Sequence, residues 1–501
     1  MAAFADTQVV RSALHGDGVI ATGPVETAGK VLFEEQPLLF LQTLVNRNDN
    51  LLCAHCHTFV GALSLQLDLL CRSVSRQEQE DMAAYDIKAK ITGTGLGTFA
   101  DDKVCSSIHL CERQCGEMYC SEKCKQAHWH QSHKLLCTGH AKEEDALVQF
   151  KIHAVRSNEI FLMVADMFAG VCCYVESQGL GLQGGPTGGP TGGCLEQQQA
   201  AASQLVESTF GSYVREQWWD AAVAPKNSDP QELTDALQVL VKDSYNFLSE
   251  ALDIAGRGLS GVLTAELMSR TIGMFEQNNV GVQLRSPLQS FVSTLQAGSA
   301  STSHVSAAAQ LISATLGNVG EEEEEDNGEW EHEYDSAYDN DDEEDEVAME
   351  GDGDAMYCME VGAFPGAKLT SSSSAAANSN KGDEGDTREK STGDAALDNL
   401  HRLIEDDGFD TLFPPLDGVA FYRKICKINH SCEPNVRVIY KEHVPGAGVG
   451  LHAQMVSLKP IEEGEELVQS YIDQNMSFEK RKKALRDYGF ECRCPKCQEG
   501  R

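Results

Sequence analysis

Apolar positions alternate through Val9 and Val10, then Val19 and Ile20, then Val31, Leu32 and Phe33, with Gly16, Asp17 and Gly18 breaking the runs. A period of two interrupted by glycine turns predicts short strands. From 144 to 173 the spacing changes to three and four, so that Ile160, Val164, Met167 and Phe168 share one face of a core helix. Helical spacing returns from 195 to 275, with Trp218 and Trp219 in one helix and Leu237, Leu240 and Val241 in another. Toward the C-terminus Val419, Ala420, Phe421, Tyr422 and then Glu466, Leu467, Val468 read as strands, each feeding a polar segment. Ser477 caps a last helix, in which Lys480, Arg481, Lys482 and Lys483 form a solvated face while Leu485 and Tyr488 pack inward. Strands and helices segregated in this way predict an α+β chain.

Between these elements lie segments that cannot bury apolar surface. Residues 184 to 193 repeat glycine, proline and threonine, and a flexible linker is expected over 180–198. An Ala/Ser-rich stretch (296–318), an acidic run (321–360) and a Ser/Ala/Gly/Asp-rich stretch (366–396) form one disordered insertion. The acidic run holds 21 Asp or Glu and no Lys or Arg, so removing it takes the formal charge from −37 to −16. An acidic body cannot make the phosphate contacts that direct nucleic-acid binding needs, whereas basic protein tails suit it as partners. The first 30 residues show no basic start followed by an apolar run, and no stretch of about 18 apolar residues stands out, so no membrane partner is expected. The chain is expected to be soluble and intracellular, in nucleus or cytoplasm.

Eighteen cysteines in such a compartment favour zinc over disulfides. Cys53 and Cys56, Cys111 and Cys115, Cys120 and Cys124, and His133 and Cys137 make four ligand pairs, enough for two tetrahedral zinc sites. Cys492, Cys494 and Cys497 supply three more sulfurs, one short of a third.

The loop Asn429, His430, Ser431, Cys432, Glu433, Pro434, Asn435, the segment Ser470, Tyr471, Ile472, Asp473 and the terminal cysteine triplet together resemble the SET-domain protein-lysine methyltransferases. The Cys/His-rich insert narrows the likeness to the SET-and-MYND (SMYD) family. Within it the chain is most like the branch of the divergent fifth member and its plant trithorax-related counterpart, which stop after the post-SET cysteines as this chain does. The likeness covers roughly 10–140, 255–290 and 405–500.

That resemblance implies a SET-domain β-clip fold split by a MYND-like zinc finger and a helical insert, with a post-SET zinc segment and a long disordered acidic loop. It assigns 7–50 to the N-terminal SET lobe and 51–140 to the finger, with an insertion at about 60–105. The helical insert is 141–255, the central SET segment 256–290, the disordered insertion 291–405, the catalytic lobe 406–475 and the post-SET segment 476–501. By the family pattern Cys53, Cys56, Cys120 and Cys124 hold one zinc, and Cys111, Cys115, His133 and Cys137 a second. Cys432 joins Cys492, Cys494 and Cys497 around a third. Tyr471 is implied as the catalytic residue. Gly16, Asp17, Gly18, Asn278, Asn429, His430, Tyr471 and Phe490 are implied to bind S-adenosylmethionine. Asp17 stands where the family often has Asn, and its carboxylate suits the cofactor's amino group.

The implied reaction moves a methyl group from S-adenosylmethionine to a lysine of a histone or another basic protein. A lysine of pKa near 10.4 is protonated at pH 7, and presenting the free amine costs about 4 to 5 kcal/mol, which an apolar aromatic channel offsets. The alternative is an inactive zinc-finger adaptor that recruits peptide partners through the MYND-like insert.

Overall fold

The computed structural model describes residues 7–12, 16–61, 65, 108–179, 192–213, 215–222, 229–296, 413–441, 450–486, 488 and 490–500. The acidic loop and most of the insertions expected at 60–105 and 291–405 lie outside the described residues.

The described strands are β1 (Thr7–Ser12), β2 (Gly16–Ala21), β3 (Val31–Glu35), β4 (Leu39–Gln42), β5 (His109–Leu110), β6 (Met118–Tyr119), β7 (Val280–Leu284), β8 (Leu416–Phe421), β9 (Asn429–His430), β10 (Val436–Tyr440), β11 (Ala453–Ser457) and β12 (Glu466–Gln469). They form sheets of order β1-β2-β12-β9, β10-β11-β3 and β4-β8-β7, beside the hairpin β5-β6. In each larger sheet an early strand pairs with a late one: Val19 faces Leu467, Phe33 faces Met455 and Leu41 faces Val419. The opening strands therefore complete no sheet until the last part of the chain arrives.

The described α-helices of four or more residues are α1 (Glu122–His128), α2 (Ala146–Ser157), α3 (Ile160–Ser177), α4 (Gly192–Phe210), α5 (Trp218–Ala221), α6 (Pro230–Ala251), α7 (Ala265–Asn278), α8 (Pro287–Gln296), α9 (Phe478–Arg486) and α10 (Pro495–Gln498). Caps match their sequence signals: Asp229 accepts from Gln231 N ahead of Pro230, and Thr264 accepts from Leu267 N. Two cores meet at β8. Val419 and Phe421 point into the helical core with Phe161, Phe168, Trp218 and Phe275, while Leu416 and Ala420 point into the core lined by β2, β3, β10 and β11. A strand covered on both faces reads as a continuous apolar run, as the stretch from Val419 to Tyr422 does after Asp417 and Gly418.

Three expectations need correction. The linker expected over 180–198 is helical from Gly192, because Leu195 through Ala202 are good helix formers that outweigh the preceding glycines. Residues 291–296, expected to open the disordered insertion, end α8. Contrary to the expectation of no long apolar stretch, α3 is long and apolar enough to cross a membrane, but 67% of it is buried inside the protein. Its Asp166 accepts from the Ser132 hydroxyl at 2.5 Å, and its Glu176 pairs with Lys134 and Arg257. It is the spine of the helical core.

The Cys/His-rich unit docks directly on this body. Leu451 N donates to Cys56 O at 3.0 Å, and a Cβ on Gly450 would lie 1.9 Å from that same oxygen. Arg47 pairs with Glu117 at 2.8 Å, and the rings of Phe40 and His57 lie 4.8 Å apart.

Candidate active site and metal clusters

The site grows from the parallel pairing of β9 with β12, in which His430 stands opposite Gln469. Ser431 N donates to Gln469 O, and Asn435 N to Val468 O. Asn435, 1% exposed, fixes the loop's far end: its amide donates to Glu466 O at 2.8 Å and accepts from Val468 N at 2.8 Å. Asn429 Nδ2 donates to Glu466 Oε1 at 2.7 Å and to Asp17 O at 3.3 Å. Gly18 packs beneath them, and a Cβ there would come within 2.6 Å of Glu466 Oε1 and 3.2 Å of Asn429 Nδ2. Gly16, Asp17 and Gly18, expected as a turn, instead open β2, paired with Ser12, Arg11 and Val10, and this strand start and the loop beginning at Asn429 are thus brought together.

Tyr471 follows β12 directly. Its hydroxyl donates to Ile428 O at 2.7 Å, and its backbone N donates to His430 Nδ1 at 3.0 Å. An accepting Nδ1 leaves the proton on Nε2, which faces Cys432 Sγ at 3.3 Å. Around the Tyr471 ring stand His430 (5.2 Å between centroids), Tyr488 (5.4 Å) and Phe490 (6.3 Å, perpendicular). The Tyr488 hydroxyl donates to Tyr471 O at 3.0 Å. Burial pushes the Tyr471 phenol well above its usual range, and burial together with the Arg481 charge pulls His430 down to about 4. A neutral imidazole and a protonated phenol result at pH 7.

Asn278 ends α7, where its amide donates to Met274 O at 2.8 Å, one turn back. The next residue adds something the sequence did not single out. Both polar side-chain atoms of Asn279 are buried with no hydrogen-bond partner among the described residues.

Three clusters gather the cysteines: Cys53, Cys56, Cys120 and Cys124; Cys111, Cys115, His133 and Cys137; and Cys432, Cys492, Cys494 and Cys497. In each, the ligand atoms lie within 4.8 Å of one another. Sulfurs stand 3.7 Å apart for Cys56 and Cys120, 3.6 Å for Cys120 and Cys124, 3.7 Å for Cys111 and Cys137, and 3.5 Å for Cys432 and Cys497. Tetrahedral ligands about 2.3 Å from zinc sit about 3.8 Å from one another, while a disulfide needs about 2.05 Å. His133 Nε2, 3.4 Å from both Cys111 and Cys115, fits the same geometry. Thiols this close cannot all ionise on their own. A hydrogen bond from Cys56 holds Cys53 down to about 4 while Cys56 is pushed up, and Cys137 falls to about 3 against a raised Cys115. A divalent cation relieves that conflict, and all three clusters fit zinc.

Arg481, expected on the solvated basic face of α9, is instead 1% exposed. Its guanidinium donates to Met476 O at 2.6 Å and lies 4.0 Å from Cys497 Sγ. Lys480, Lys482 and Lys483 are exposed as expected.

A SET domain profile matches residues 303–472, whose described parts, 413–441 and 450–472, contain β8 to β12 and the Asn429–Asn435 loop. The chain thus carries a SET-domain match and is similar to SMYD-family proteins. Histone-lysine N-methyltransferase ATXR2 of Arabidopsis thaliana is 22% identical over 98% of this chain and 90% of its own length. Histone-lysine N-methyltransferase SMYD3 of Homo sapiens is 42% identical over 82 residues, 16% of this chain and 17% of that protein. N-lysine methyltransferase SMYD2 of Gallus gallus is 40% identical over 106 residues, 21% of this chain and 22% of that protein. The likeness to the two SMYD proteins thus spans about a fifth of each. The mixed strands and helices and the three Cys/His clusters agree with a SET fold carrying MYND-like and post-SET zinc sites.

Proposed function

We propose that this SMYD-like chain is a protein-lysine N-methyltransferase that takes its methyl group from S-adenosylmethionine and acts on a histone or another basic protein. The observation that carries the reading is the setting of Tyr471. Its hydroxyl points back to the Ile428 carbonyl at 2.7 Å, and its ring is walled by His430, Tyr488 and Phe490. Such an enclosure disfavours an ammonium and so favours the free amine of an entering lysine.

When bound, the cofactor would supply an electrophilic methyl on a sulfonium whose thioether is the leaving group, which asks for no covalent nucleophile from the protein. The residues present suit that group. Gly18 lets the start of β2 come close to Asn429 and Glu466, with Gly16 beside it, Asn429 and Asn279 offer amides, and Asp17 offers a carboxylate to an amino group. His430 holds the Tyr471 backbone, and Phe490 closes the site from the post-SET segment. Asn278 takes a supporting place at the end of α7. Orientation of amine and methyl in a dry channel supplies most of the rate.

On this reading 7–50, 256–290 and 406–475 make up the catalytic fold, and 476–501 supplies its post-SET wall. Residues 51–140 form a structural finger with two zinc ions, and a third ion joins Cys432 to the terminal triplet. Closed four-ligand sites hold structure and leave no position for catalysis. The finger remains available to a peptide partner.

Labelled methyl donor, purified wild type and Tyr471→Phe, tested on histones and on whole extract, decide the matter. Wild type should label protein, and the variant should lose about 10²-fold in rate while staying folded. A folded wild type that labels nothing, yet still captures partner proteins, overturns the enzyme in favour of the adaptor.

A further inference from the structure

Lys427 stands in an apolar stretch, Ile425 to Ile428, and is 9% exposed. A buried ammonium is costly unless it is paired. Its Nζ reaches Asp17 Oδ2 at 3.1 Å and Ser212 Oγ at 2.5 Å, and lies 4.6 Å from the centroid of the Tyr213 ring. Tyr213 is itself fixed, its hydroxyl shared between the carbonyls of Tyr422 and Arg423 at 3.1 and 2.9 Å. The ammonium is therefore held in a built cradle of carboxylate, hydroxyl and aromatic face.

The position of that cradle matters as much as its chemistry. Asp17 lies at the start of β2, its own carbonyl 3.3 Å from Asn429 Nδ2, so the pair sits beside the strand start and the loop that the proposed function gives to the methyl donor. The Asp17 side chain keeps 27% exposure against 8% for Lys427, so the pair opens outward on its acidic side. An ammonium has three N–H donors, and the two hydrogen bonds recorded for Lys427 leave one. Fixed charges of both signs, side by side and partly exposed on the acidic side, are the complement of a zwitterion.

Resting on the proposed methyl-transfer reading, we propose that Lys427 and Asp17 together receive the amino-acid end of the methyl donor. The Lys427 ammonium takes its carboxylate and the Asp17 carboxylate takes its ammonium. The pair exchanges one internal ion pair for two to the ligand, so the buried charge never goes without a partner. This makes Lys427 a binding residue two positions before Asn429, and it gives a reason for acid rather than amide at Asp17.

Calorimetric titration with two probes tests the pair: S-adenosylhomocysteine, which keeps the amino-acid end, and 5′-methylthioadenosine, which lacks it. Wild type should bind the first more tightly than the second. Lys427→Met should weaken S-adenosylhomocysteine 10-fold to 100-fold, on the order of a lost charge-assisted contact, and leave 5′-methylthioadenosine within about twofold. Lys427→Arg should recover part of the loss. Asp17→Asn, at a more exposed position and so safer for folding, should weaken only the first probe. Equal weakening of both probes, or none, overturns the assignment. A wild type that binds neither probe overturns the methyl-donor reading itself, a separate outcome.

Discussion

The finger and the post-SET cluster hold metal-ligand sets of similar chemistry in opposite ways. Every finger ligand falls between Cys53 and Cys137, and the seven cysteines pack with Leu51, Val60, Met118 and Tyr119 into a core of their own, with His133 against the Tyr119 ring. The finger's flanks meet the body broadly: Leu451 to Cys56, Arg47 to Glu117, Phe40 to His57 and Ser132 and Lys134 to α3, with Leu52 and Phe59 in the strand core and Leu135 and Leu136 against the helical one. The C-terminal cluster has no such independence. It takes Cys432 from the Asn-His loop, packs with Ile472, Tyr488 and Phe490, and touches His430, which holds Tyr471. A metal lost from the finger loosens the finger's local core, whereas one lost from the C-terminal cluster unties the wall of the proposed active site.

The sharpest way to break this contrast is to remove one ligand from each region. Cys494→Ala should cost one zinc of three and drop methyl transfer by about 10³-fold, since loop, tyrosine and aromatic wall lose their common tether. Cys124→Ala should also cost one zinc, yet leave transfer to a short basic peptide within about 10-fold. Zinc content by elemental analysis and initial rates, measured on the same preparations, read both. Equal losses of rate would show that the finger is as much a part of the site as the post-SET segment.

A smaller effect is expected at Arg481. Four thiolates around one divalent ion leave two negative charges, and a guanidinium buried at the cluster offsets part of that excess. Arg481→Met, which keeps the stem but not the charge, should speed release of a single zinc to a chelator about 10-fold to 100-fold. The two finger ions should leave at their wild-type rates. Uniform acceleration of all three would mean that the variant unsettles the fold rather than the cluster.

Metal chemistry was the most legible part of the sequence, because a tetrahedral ion demands particular residue types at close spacing and Cys53 to Cys137 meet that demand locally. The pairing of those ligands, and the recruitment of Cys432, came only through family likeness. Isolated charges were the least legible. Lys427 looks like an interruption in a strand-forming run until Asp17, 410 residues earlier in the chain, is brought against it. Arg481 looks like one of four basic surface residues until α9 turns that position inward. Local composition also misled at 192–198, where glycines hid the start of α4. Of the adjacent Asn278 and Asn279, the one with a buried, unpartnered amide depends on where α7 ends, a one-residue matter that periodicity does not resolve.

The mildest perturbation concerns how the finger is held. Burial alone would raise the Glu117 carboxyl, but the Arg47 guanidinium beside it wins and holds it at about 2, below its ordinary 4.5. A depressed carboxylate adds stability that is present above pH 4.5 and is lost as pH falls through about 2, so the contribution is complete at pH 7. Acid is a poor lever here, since the zinc thiolates protonate as well; salt is the better one. Arg47 is 44% exposed and Glu117 23%, so the pair is partly screened and worth no more than about 1 kcal/mol. Glu117→Gln should therefore lower the melting temperature by only a few degrees at low salt, with the difference shrinking toward 1 M salt as screening lengths fall to about 3 Å. Methyl transfer should stay within about twofold, because the aromatic wall around Tyr471 is tethered from the other end of the molecule. A large loss of rate with zinc content unchanged would mean that the finger's docking angle reaches the active site through β11, and the separation of the two metal regions would then have to be given up.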